Sequence, residues 1–131
     1  MADGVVKNWP RTLLRLEGAC IFGCATWAYN RTGQGWWGFA AGLLLPDLAM
    51  AGYAANNSVG AASYNLVHTE TPPLLLLSAG IAMADSFVSG VGLIWLAHIG
   101  MDRMLGYGLK YGSFGHTHLG IMGGGITSKE Q

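Results

Sequence analysis

Long apolar stretches separated by short polar turns run along most of this chain. Four of them approach the ~20 residues that a helix needs to cross a bilayer. They cover about residues 12–30, 36–55, 58–83 and 87–105. Pro10 stands just before the first stretch, where proline favours a helix start. The pattern predicts an all-α fold, a four-transmembrane-helix bundle that forms a single domain over residues 1–131.

The third stretch and the C-terminal tail are the ambiguous parts of this pattern. Residues 58–69 are only moderately apolar, and Pro72 and Pro73 interrupt the stretch before a run of leucines. One kinked helix is expected, because neighbouring helices can bond the carbonyls that proline leaves free. The alternative is an interfacial helix followed by a shorter span. The tail, residues 111–131, is glycine-rich and predicts a loop.

The composition supports a membrane protein. Hydrophobic residues make up 51% of the chain and charged residues 11%, whereas about a quarter of the residues in soluble domains are charged. The formal net charge is zero, and no Lys/Arg cluster is present, so nucleic acid is not expected as a partner. Arg15 and Glu17 interrupt the first apolar stretch, which is unlike the core of a cleavable signal peptide.

Basic residues are distributed unevenly between the two ends of the predicted bundle. One end has only Arg31, and the other end has Lys7, Arg11, Arg15, Arg103 and Lys110. Cytoplasmic ends of membrane helices carry the excess of Lys and Arg. We therefore expect a multi-pass membrane protein with both termini in the cytoplasm, surrounded by membrane lipids.

Polar residues from all four predicted helices fall in one layer near the cytoplasmic side. A charge inside a membrane helix costs ~3 kcal/mol, so such residues usually face the bundle interior. His98 and Asp102 are four residues apart and share a helix face, and Asn65 and His68 are three apart. The predicted polar site consists of Glu17, Asp47, Asn65, His68, His98 and Asp102.

This set of side chains is typical of a metal site. Two imidazoles with two or three carboxylates could bind a divalent metal such as zinc, or iron or manganese where oxygen ligands dominate. We assign His68, His98 and Asp102 as metal ligands, and Asp47 and Glu17 as catalytic carboxylates. The same groups could instead act as a proton acceptor with its orienting partner, or form only structural hydrogen bonds across the bundle.

The two cysteines offer a weaker signal. Cys20 and Cys24 are four residues apart on one face of the first predicted helix, where they cannot easily bridge each other. We interpret them as small packing residues. A metal or redox pair is the alternative.

Several longer motifs carry a family resemblance. The most specific is the run Ile94-Trp-Leu-Ala-His-Ile-Gly-Met-Asp-Arg-Met-Leu-Gly-Tyr-Gly-Leu-Lys110. The others are Leu14-Arg-Leu-Glu-Gly18, Pro46-Asp47, Ala51-Gly-Tyr53, Tyr64-Asn-Leu-Val-His-Thr69, Phe114 and Thr117-His-Leu-Gly120. Through these motifs the chain resembles a bacterial group of small integral membrane proteins, domain-of-unknown-function family 4260. The resemblance implies a multi-helix protein of the bacterial inner membrane with no known activity. Tyr107 and His118 complete the candidate site residues: His116 and His118 could fold back from the tail as extra ligands, or could lie in a solvated tail.

A looser similarity connects the chain to membrane proteins described as metal-dependent hydrolases. The shared features are a Pro-Asp pair, a helix-borne His and a later His-x-x-x-Asp motif, although this chain lacks a second acidic residue beside Asp47. We expect a buried, metal-binding and hydrolase-like site, and leave open whether the protein is an enzyme. The alternatives are a non-catalytic accessory subunit of a larger membrane complex, a lipid- or pigment-binding protein, and an ion conductor.

Overall fold

The computed structural model describes residues 4–111 and 115–121. Its elements are α1 (Asn8–Arg31), α2 (Trp36–Leu44), a 3-10 helix (Leu45–Ala54), α3 (Asn57–Val67), α4 (Thr71–Ala82), α5 (Ser86–Leu105), β1 (His116–Thr117) and β2 (Gly120–Ile121). The predicted all-α class is confirmed. In the tail that was predicted as a loop, β1 and β2 form a small antiparallel hairpin. Phe114 and the glycines at 123–125 lie outside the described residues.

Helix α5 lies at the centre of the fold, with α1 and α4 packed along it. The helix begins after Asp85, whose carboxylate accepts hydrogen bonds from amides of the first turn. It ends at Gly106, whose φ of 90° is the left-handed conformation that glycine adopts at a helix end. At Gly100 a Cβ would lie 2.5 Å from the Phe22 amide nitrogen, so α1 and α5 are in backbone contact. The core consists of Ala25, Tyr29, Phe39, Leu93, Leu96 and Ala97.

The stretch predicted as one kinked helix over residues 58–83 is two helices, α3 and α4, so that prediction was wrong. The physical reason is that Pro72 has no N–H to donate to the His68 carbonyl, four residues earlier. In the structure Arg103 Nη2 donates to this carbonyl instead, at 2.9 Å. Both prolines lie in the first turn of α4, where a missing N–H is tolerated. The break leaves His68 at the end of α3, where it can face α5.

The second predicted helix, 36–55, changes its winding at Pro46. It is α-helical to Leu44 and continues as the 3-10 helix from Leu45, with the proline in the first turn. The tighter winding carries Asp47 past the end of α2. A Cβ at Gly60 would meet the Tyr53 ring, so the 3-10 helix packs closely on α3 and the two elements form one unit beside α5.

The fold also bears on the expected membrane spans and on the role of the two cysteines. Across residues 4–111 and 115–121, no single helix is both long and apolar enough to cross a membrane. Cys20 and Cys24 are free and exposed on α1. The interpretation of the cysteines as packing residues was therefore wrong, because α1 turns its other face, with Gly18, Ala25 and Tyr29, toward the protein interior.

Candidate metal centre

The end of α3 places one histidine of the site. Asn56 caps the start of this helix by accepting a hydrogen bond from the Val59 amide at 2.8 Å. At the other end His68 is fully buried. The Tyr64 ring, one turn earlier, stacks on the imidazole with 3.7 Å between centroids and 9° between planes. The His68 ring is therefore held in one orientation from its face.

Helix α5 contributes a histidine and a carboxylate from one face. His98 and Asp102 are one turn apart and both are buried. His98 Nε2 lies 3.2 Å from Asp102 Oδ2. The four-residue spacing seen in the sequence therefore places both groups at a single point, as predicted.

The 3-10 helix contributes the fourth group and the one that is open to solvent. Asp47 Oδ1 lies 3.4 Å from Nε2 of both His68 and His98. Its side chain is 38% exposed, whereas that of Asp102 is 9% exposed. Asp47 therefore closes the cluster on the side from which water or a substrate can approach.

The four groups converge with the spacing of a metal coordination shell. The two Nε2 atoms are 3.0 Å apart, and His68 Nε2 lies 3.7 Å from Asp102 Oδ2. One ligand atom from each of the four side chains lies within 4.8 Å of all the others. In a tetrahedral zinc site with bonds of ~2.0–2.1 Å, neighbouring ligand atoms are about 3.3 Å apart. The imidazole and carboxylate spacings of 3.0 to 3.7 Å bracket that value.

Backbone carbonyls select the tautomer of both histidines. His68 Nδ1 lies 2.8 Å from the Tyr64 carbonyl oxygen, and His98 Nδ1 lies 2.5 Å from that of Leu43. A carbonyl only accepts, so each Nδ1 carries the hydrogen and donates it. Each Nε2 then presents its lone pair to the cluster, which is the arrangement of metal-ligating histidines whose other nitrogen is bonded to the backbone.

The electrostatics of the two histidines differ. Burial lowers the pKa of His68, and the neighbouring His98 adds to this effect. Burial also acts to lower the pKa of His98, but the hydrogen bond that His98 donates to Asp102 and the charges of Asp102 and Asp47 outweigh it and raise that pKa. The carboxylates therefore favour a positive charge beside His98, whereas burial disfavours one at His68.

Three further side chains border the cluster. The Tyr64 hydroxyl lies 3.5 Å from Asp102 Oδ2, and burial followed by the charges of Asp102 and Asp47 raises the pKa of this phenol. Lys110 Nζ lies 4.5 Å from the centre of the Tyr64 ring. Arg103 Nη2 donates a hydrogen bond to the His68 carbonyl oxygen. Sequence reasoning did not select Tyr64, Arg103 or Lys110 for the site, although Tyr64 is one helical turn before His68 and the i, i+4 spacing could have identified it.

Four of the candidates named from the sequence lie elsewhere. Glu17 is exposed on α1 and Tyr107 is exposed after α5. Asn65 bonds the Lys110 backbone, with Nδ2 donating to the carbonyl at 2.8 Å and Oδ1 accepting from the amide at 2.6 Å. His118 Nδ1 accepts from the Leu109 amide. The structure therefore does not bring Glu17, Tyr107, Asn65 or His118 into the four-ligand group.

Comparison with known proteins returns one family. A sequence model described as Domain of unknown function (DUF4260) matches residues 11–122, which is most of the chain. No curated protein and no solved structure matches the chain significantly.

Proposed function

The chain belongs to the DUF4260 family, and we propose that it binds one divalent transition metal ion through Asp47, His68, His98 and Asp102. The observation that carries this proposal is the 3.0 Å approach of two Nε2 atoms whose Nδ1 atoms both face carbonyls. Two neutral imidazoles in this arrangement direct lone pairs at each other and at two carboxylates. A cation between the four groups removes the repulsion.

Zinc fits this ligand set best. It takes neutral imidazole and carboxylate ligands in a tetrahedral shell with the spacing found here, whereas magnesium and calcium prefer shells built entirely of oxygen. Iron and manganese also accept mixed nitrogen and oxygen ligands and are the nearest competitors. Two carboxylates balance the charge of a divalent ion, which is required at a site as buried as that of His68 and His98.

We propose hydrolysis as the chemistry of the site. A bound zinc ion would supply a Lewis acid that lowers the pKa of water to near neutrality, provided that water takes one position of the shell. Asp47 is the ligand most open to solvent, so its position is the one that water would take. In hydrolysis of an ester, the water oxygen bonds to the acyl carbon, the ester C–O bond breaks, and the departing oxygen takes the proton. We assign Asp47, the more exposed carboxylate of the cluster, as the group that accepts the water proton before transfer. Glu17 has no part in this proposal, because it is exposed on α1 outside the cluster.

Elemental analysis of the purified protein tests the metal proposal. We expect one zinc, iron or manganese ion per chain in the wild type, and loss of the metal in His98→Ala and in Asp102→Ala. His116→Ala is the matched control, because His116 packs beside Tyr111 in the tail and is not in the ligand group found among the described residues. A wild type that remains metal-free after incubation with zinc would refute the proposal.

The membrane location predicted from composition stays a prediction. Large apolar side chains with high exposure support it, among them Trp27, Trp37, Leu48 and Phe87, since surface patches of this kind mark contact with a membrane or a protein partner. Extraction of cell membranes with alkaline carbonate tests it. Recovery in the pellet supports a membrane location with lipids as partners, whereas recovery in the supernatant contradicts it.

A further inference from the structure

An apolar cavity of about 490 Å³, open to the surface, lies between α2, the start of the 3-10 helix and α5. Ala41, Leu45, Val91 and Ile94 supply part of its wall. This volume falls within the ~300–1,000 Å³ range of small-molecule sites, which are mostly apolar with a few polar groups that orient the ligand. The described part of the chain thus contains a space of ligand size as well as a cluster of ligating groups.

The cavity wall includes neighbours of three of the four ligands. Pro46 and Val67 line it and directly precede Asp47 and His68 in the chain. Ile94, also in the lining, is one helical turn before His98 on α5. A molecule that fills the cavity as far as Pro46 and Val67 would therefore end close to the cluster.

Polar groups of the lining are already engaged within the protein. The Trp95 indole donates to the Val67 carbonyl at 2.7 Å, and the Tyr29 hydroxyl donates to the Gly35 carbonyl at 2.9 Å. Gln34 Nε2 donates to the Ser86 carbonyl at 2.5 Å. These donor hydrogens are not available to a ligand, so the cavity favours an apolar occupant over a sugar or a nucleotide.

We propose that the substrate is a single-chain amphiphile, whose long alkyl or acyl chain occupies this cavity while its hydrolysable head group lies at the metal. The proposal rests on the proposed function, because the metal site supplies the reacting end. It goes beyond that function by naming the class of substrate and the cavity that binds its unreactive alkyl or acyl chain. Burial of each methylene group contributes to binding, so affinity rises with chain length until the cavity is filled.

The cavity is tested first in metal-free protein with a fluorescent fatty acid of twelve carbons. Ala41→Phe places a ring in the cavity, since Ala41 lines it. Ala40→Phe is the matched control on the same helix, because Ala40 is exposed like Ala41 but lies outside the lining. We expect the first substitution to weaken probe binding about tenfold or more and the second to change it less than about twofold. Val91→Phe approaches the cavity from α5 and gives the same test if Ala41→Phe does not fold.

The connection to the metal is tested in cobalt-loaded protein with alkyl hydroxamates, which bind the metal through their head group. We expect the twelve-carbon hydroxamate to bind about tenfold or more tightly than acetohydroxamate, with this gain lost in Ala41→Phe and kept in Ala40→Phe. Both variants are measured in the same detergent. Cobalt absorbance reports metal uptake separately.

The outcomes separate the two proposals. Cobalt uptake without any dependence on chain length, or an equal loss in both alanine variants, overturns the substrate class and leaves the metal site standing. Binding of the fatty acid without metal uptake overturns the proposed function. It also overturns the assignment of the bound alkyl chain as part of a substrate. Chain-length dependence together with the contrast between the two variants supports both.

Discussion

Replacement of the two histidines tests whether the buried cluster is a metal site or a structural network. His68→Ala and His98→Ala each remove one proposed ligand, and the double variant removes both. Ligands of one metal act as a unit, so the first replacement should abolish binding and the second should have nothing left to remove. In a structural network of separate hydrogen bonds, the two losses should instead be independent.

The magnitude of the metal effect follows from linkage. A metal present at 100 times its dissociation constant stabilises the folded state by ~2.7 kcal/mol. For a chain of 131 residues, each kcal/mol moves the melting temperature by about 3–5 °C, so chelation should lower that of the wild type by ~10 °C. Each alanine also loses a buried contact, such as the bond from His98 Nδ1 to the Leu43 carbonyl. That loss costs ~1–3 kcal/mol whether or not metal is present.

The assay is thermal unfolding of five proteins with zinc and with excess EDTA: the wild type, the two single variants, the double variant and the control His116→Ala. The wild type and the control His116→Ala should each lose ~10 °C on chelation. Each single variant and the double variant should have the same melting temperature with zinc as with EDTA. The chelator response thus separates the metal contribution from the loss of buried contacts.

A wild type that does not respond to EDTA, combined with losses that add in the double variant, would refute this reasoning. Additive losses without a response to EDTA would indicate separate structural bonds, whose cost is ~0.6 kcal/mol each between helices in a membrane and ~1–3 kcal/mol where a buried partner is left unpaired. The accessory-subunit interpretation would then become the leading one.

Three further predictions concern parts of the fold around the site. Asn65→Ala removes both bonds to the backbone at 110 and should destabilise the protein by ~1–3 kcal/mol in urea with the metal content unchanged; loss of metal would instead make this residue part of the site. Gly100→Ala should destabilise by ~1–3 kcal/mol, because its Cβ would meet α1, whereas Gly23→Ala, in open space on α1, should stabilise slightly; equal effects would contradict the close helix approach. The double variant Cys20→Ala with Cys24→Ala should leave melting temperature and metal content unchanged, because both thiols are free and exposed, and a loss of metal would contradict the four-ligand site.

The individual ligands could be predicted from the sequence because a charged or titratable residue within an apolar helix is costly unless it has a partner. Asp47, His68, His98 and Asp102 were identified on that ground, and all four converge. The same reasoning selected Glu17 wrongly. To exclude Glu17 one must know which face of α1 is buried. That face is set by the close backbone contact between α1 and α5 at Gly18 and Gly100.

The periodicity of the sequence by itself determined the helical class of this protein and the shared face of His98 and Asp102, because both depend on spacing along one helix. Only the tertiary structure decided that Arg103 bonds the carbonyl at the break before Pro72. It also decided which carbonyls orient the two imidazoles, because the Leu43 carbonyl that holds His98 is 55 residues away in the chain. Contacts between distant residues depend on how whole helices pack, and local patterns do not contain that information.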